Sequence, residues 1–107
     1  MAEDFKFQLV FQWPSDASVQ DFDKLIVIEK IVRANISDLG VVDGHDIGAG
    51  EMNIFVWTDK PMEAFEKIMP SLTGSYDLSQ MTVGYRDFED DDYTPIFPPG
   101  LSEFSIA

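Results

Sequence analysis

The only histidine of the chain lies in Asp43-Gly44-His45-Asp46, with Glu51 close behind it. An imidazole among carboxylates is the smallest set that could hold a cation or pass a proton. A single nitrogen donor with unspaced acids falls short of a metal motif, however. Asp43, His45, Asp46 and Glu51 are therefore weak metal candidates, the expectation is no metal and no cofactor, and the ordinary use of such a histidine is a surface hydrogen bond. Asp87-Phe88-Glu89-Asp90-Asp91-Asp92 packs five acids into six residues. It lacks the alternating ligands and the glycine of an EF-hand loop. That leaves a solvated guard on a sheet edge, or a contact for a basic protein through Glu89, Asp90, Asp91 and Asp92. Gly48-Ala49-Gly50 is no phosphate loop, because a strand and not a helix should follow it. Nothing local supports a Ser-His-Asp arrangement.

The charge balance narrows the partners. Seven Lys and Arg stand against twenty Asp and Glu, a net charge of −13. Nucleic-acid phosphates and anionic membrane surfaces would be repelled, and no basic footprint can form against this background. Basic proteins would be steered toward the chain at low ionic strength. The absence of cysteine excludes disulfides, thiolate nucleophiles and Cys-held clusters. The start, Met1-Ala2-Glu3-Asp4-Phe5-Lys6, has no basic region followed by an apolar one, and no apolar run reaches membrane-spanning length, so a cytoplasmic protein is expected.

The elements that must position these residues follow from periodicity. From Phe5 to Trp13 every odd position is large and apolar, which predicts a strand with one buried face. Pro14-Ser15-Asp16 ends it, and Ser18-Val19-Gln20-Asp21 resembles a capping box with Asp in place of Glu. A helix should run from Val19 to about Ile36, carried by Phe22, Leu25, Ile26, Val32 and Ile36. The glycines between Gly40 and Gly50 predict a hairpin, turning either at Asp43-Gly44 or, the preferred register, at Gly48-Ala49-Gly50. Glu51 to Thr58 then reads as a central strand. Pro61 opens a second helix with Phe65, Ile68, Met69 and Leu72 inward, which Pro70 should shorten, leaving Ser71 to Ser79 as a loop. Met81 to Arg86 is the fourth strand.

This order is an α+β plan, the ferredoxin-like βαββαβ two-layer sandwich, in one domain over residues 1–107. The globular body is expected over about residues 4–88, with an acidic, Pro- and Phe-containing C-terminal tail over 89–107. Both helices should lie on one side of the sheet. The other face is then to be explained: Lys6, Gln8, Val10 and Gln12 lie on it, joined by Asn53, Phe55 and Trp57 or by Met52, Ile54 and Val56. Either the tail from Tyr93 to Pro99 folds over that face, or Phe55 and Trp57 help form an interface. The function expected is non-enzymatic: an acidic antagonist, immunity-type or adaptor module binding a basic protein. The alternatives are a homo-oligomeric regulatory or small-ligand domain that pairs through the open face, and an enzyme using His45 with the nearby carboxylates.

Overall fold

The computed structural model describes residues 5–36, 38–76 and 78–106. Its elements are β1 (Phe7–Pro14), α1 (Val19–Ile36), β2 (Gly40–Gly48), β3 (Glu51–Thr58), α2 (Pro61–Ser75), β4 (Thr82–Asp87) and β5 (Thr94–Phe97). The strands form an antiparallel sheet in the order β2-β3-β1-β4-β5. The architecture is thus α+β, a five-stranded sheet with two helices. The six-element βαββαβ plan needs correcting, because part of the expected tail, Thr94–Phe97, pairs with β4 as a further strand. Its proline hid it: Pro95 lacks a ladder donor, and an edge position is where a sheet tolerates that loss.

Alternate residues of β1 face the helices, while Val10 between them is fully buried outside that cluster. Leu9, Phe11 and Trp13 share one core with Leu25, Ile28 and Val32 of α1 and Ala64, Ile68 and Leu72 of α2, so both helices lie on that face. Met52, Ile54 and Val56 of β3 join the same core, which sends Asn53, Phe55 and Trp57 to the other side.

Local chemistry sets the element ends. Ser18 caps α1 by accepting the Asp21 N–H at 3.1 Å. The capping box is not reciprocal, because the Asp21 carboxylate accepts Ser15 Oγ–H while Asp16 accepts the Ser18 N–H. The Ser18 hydroxyl and then its amide hold the Asp16 carboxyl below the ordinary carboxylate range. The hairpin turns at Ala49-Gly50, both with positive φ, which is the primed geometry that matches strand twist. Asp43-Gly44 is no turn; a bulge between Val42 and Gly44 interrupts β2 there.

Pro70 lies inside α2 and does not end it. The helix continues because Leu72 is fully buried against the core and the Tyr76 N–H closes on the Leu72 carbonyl. Burying a leucine contributes about 2 kcal/mol, which offsets much of the roughly 3 kcal/mol that an internal proline costs.

Candidate partner-binding face

The sheet face away from the helices carries two polar clusters with an apolar saddle between them. At one end Gln12 Nε2 lies 3.1 Å from Glu51 Oε2, 3.0 Å from Asn53 Oδ1 and 2.9 Å from the Ser105 carbonyl. Thr82 Oγ1 donates to Gln12 Oε1, and Asn53 Nδ2 donates to Glu51. Asn53 can be wholly buried because its amide is matched on both sides. At the other end Gln8 Oε1 accepts Arg86 Nε–H at 3.2 Å and the Tyr93 hydroxyl at 2.6 Å.

Between them sits Val10, whose register partners are Phe55 and Gly84. Phe104, only 8% exposed, packs on Gly84, where an added Cβ would lie 2.6 Å from the ring. Tyr93 meets Phe104 with ring centroids 5.2 Å apart. The chain after β5 therefore lies across the middle of this face.

The turn from β4 to β5 is stitched from within. Asp87 accepts the Glu89 N–H on its carboxylate and the Asp90 N–H on its carbonyl. Arg86 Nη1 donates to the Asp90 carbonyl at 2.9 Å, and its guanidinium lies over the rings of Phe88 and Tyr93. Arg86 donates to Gln8 Oε1 and to main-chain oxygens of the turn, and the side chains of Glu89, Asp90, Asp91 and Asp92 are exposed. Among the described residues none of the four forms an ion pair. Phe88 also meets Trp57, with centroids 6.2 Å apart and rings nearly perpendicular. Trp57 thus adjoins the acidic turn, and Phe55 lies next to it on the same face, each half-buried.

The histidine cluster is not assembled. His45 is registered with Ile54 on the helix side, whereas Asp46 is registered with Asn53 and Glu51 joins the Gln12 cluster on the far side. Asp43 lies in the bulge. The partner of His45 is Glu29 of α1, 2.9 Å from Nδ1 to Oε2, a contact that needs a proton on one of the two groups. Glu29 is 7% exposed, and its other oxygen lies 3.9 Å from Arg33. Among the described residues no group of three or more His, Asp or Glu side chains could hold a metal ion.

His45→Ala strands a buried carboxylate beside one distant cation. The expected loss is about 1–2 kcal/mol, read as a lower urea midpoint at constant slope. An unchanged midpoint would mean that Glu29 is satisfied without the imidazole. Sequence spacing could not have revealed this pair. The signal for the far face was the amides at Gln8 and Gln12 flanking Val10 on a strand otherwise apolar, a pattern suited to two polar cross-strand clusters. Gln8 and Gln12 were placed on this face from sequence, and Arg86 and Phe104 were the residues missed.

Comparison with known protein families, curated proteins and solved structures gives no match to this chain. Among the described residues no helix is long and apolar enough to cross a membrane.

Proposed function

We propose that the chain is a non-enzymatic binding module that engages a basic protein through the turn from β4 to β5 and the adjoining Trp57 and Phe55. The observation that carries this reading is the combination in that turn of an internally bonded backbone and outward, unpaired carboxylates. A turn already ordered loses little further conformational freedom on binding, so Coulomb attraction is not spent on ordering it. The aromatic pair Trp57 and Phe88 adds apolar area beside the charges, where a Lys or Arg side chain could lay its stem or its cation. The α+β architecture by itself says nothing about function.

The test is capture from a lysate of the source organism, eluted in steps of rising salt, with mass spectrometry of what elutes. The expected ligand is a basic protein held at low salt and released as the screening length falls from about 10 Å at 0.1 M to about 3 Å at 1 M. Once that protein is purified, Glu89→Gln with Asp90→Asn, Asp91→Asn and Asp92→Asn should abolish the salt-sensitive binding, and Trp57→Ala should weaken it. Retention that ignores both salt and the four substitutions would overturn the reading.

A further inference from the structure

The opposite end of the sheet carries a different constellation. An open cleft of about 580 Å³ lies where β1 passes into α1, lined by Trp13, Ser15, Asp16, Asp21, Lys24 and Gln80 among others. Its volume falls within the range of small-molecule sites, about 300–1,000 Å³. Trp13 is 3% exposed, and its Nε1–H is the one buried side-chain polar atom among the described residues without a hydrogen-bond partner. A buried donor left unmatched costs about 1–3 kcal/mol, so an acceptor brought to it by a ligand recovers free energy that the fold by itself forgoes.

The charges in the cleft select the ligand class. Lys24 Nζ is held 5.8 Å from the centroid of the Tyr76 ring and forms no ion pair among the described residues, not even with Asp21 one turn earlier on α1. Asp16 accepts the Ser18 N–H and hydroxyl, Asp21 accepts Ser15 Oγ–H, and a carboxylate has acceptor capacity beyond that. A simple cation would leave the indole donor and Lys24 unmatched. A simple anion would meet two carboxylates. A compact molecule with an acid group at one end and an ammonium at the other satisfies both halves.

We infer that this cleft binds a small zwitterion of the free α-amino acid class, its carboxylate toward Trp13 Nε1 and Lys24 and its ammonium toward Asp16 and Asp21. The site lies at the far end of β1 from the acidic turn and does not depend on the partner-binding reading.

The chain has two tryptophans, so ¹⁵N-labelled protein gives two indole signals, and Trp57→Phe identifies that of Trp13. The probes are the common α-amino acids, each beside its N-acetyl amide, titrated to about 10 mM. At least one free amino acid should move the Trp13 signal saturably with a Kd below about 1 mM. Its blocked counterpart, with the same side chain and neither charge, should not. Lys24→Met and Asp21→Asn should each weaken binding by about tenfold or more, as expected for loss of a charge-assisted hydrogen bond. The inference is overturned if no free amino acid moves the signal, if blocked and free forms act alike, or if both variants bind as the parent does. The comparison of free with blocked ligands is made on the parent protein, so it decides the matter even where a variant folds poorly.

Discussion

Phe11→Ala should lower the unfolding free energy by about 3–5 kcal/mol, the range for emptying an enclosed phenylalanine site. Phe11 is fully buried on the central strand, registered with Ile54 on one side and Val83 on the other, and capped by Phe65 of α2 at 6.4 Å with nearly parallel rings. Its ring thus joins the sheet to α2. Domains of this kind are stable by only about 5–15 kcal/mol, so the variant should approach the unfolding threshold at ambient temperature. Urea titration followed by circular dichroism measures the effect. Phe11→Leu, which keeps most of the volume, should cost less than about 1.5 kcal/mol and remain folded. A loss below about 1 kcal/mol for the alanine variant would place Phe11 outside the enclosed core.

Phe104→Ala should cost about 2–3 kcal/mol, somewhat less than an enclosed phenylalanine because only one side of the ring meets the sheet. The effect has a built-in control. Gly84→Ala drives a methyl group into the Phe104 ring and should cost about 1–3 kcal/mol in the parent, since the ring and its backbone must shift together. In the Phe104→Ala background the obstruction is gone. There the same change should be neutral, or stabilising by up to about 1 kcal/mol through the reduced freedom of the unfolded chain. Strong coupling between the two positions in a double-mutant cycle is the expected result; additive losses would mean that the C-terminal segment does not rest on Gly84 in solution. Sedimentation of Phe104→Ala adds a second readout. The variant uncovers Val10 beside Phe55, and if that strip then pairs two copies, the pairing should grow with protein concentration.

Much of the scaffold could be read from residue order because the decisive signals were local. The alternation from Phe5 to Trp13 assigned the buried face of β1, and α1 spans Val19–Ile36 as its apolar spacing and Ser18 cap implied. Three features resisted because distant residues decide them. Pro70 argued for a short α2, yet burial of Leu72 carries the helix onward. The segment around Pro95 looked like a tail, yet β4 offered it a ladder. His45 looked tied to the acids beside it in sequence, yet alternation along β2 and β3 put Asp46 and Glu51 on the other face, the bulge took Asp43 out of register, and Glu29 is left to meet it. The acidic run was visible at once. What sequence could not show was that Arg86 would bond the backbone of that run and leave its carboxylates free.

The two outer strands have a bearing on how the chain behaves when concentrated. β2, on one rim, is interrupted by the bulge at Val42/Gly44 and carries Asp43 and Asp46; β5, on the other, is four residues long and contains Pro95. Kinked or charged rims and a proline that cannot donate are poor templates for adding another strand. Stacking of copies rim to rim, the first step toward fibrils, is blocked on both sides. The folded protein should therefore keep in concentrated stocks without forming cross-β aggregates, and those should arise only from chains that have first lost the sheet.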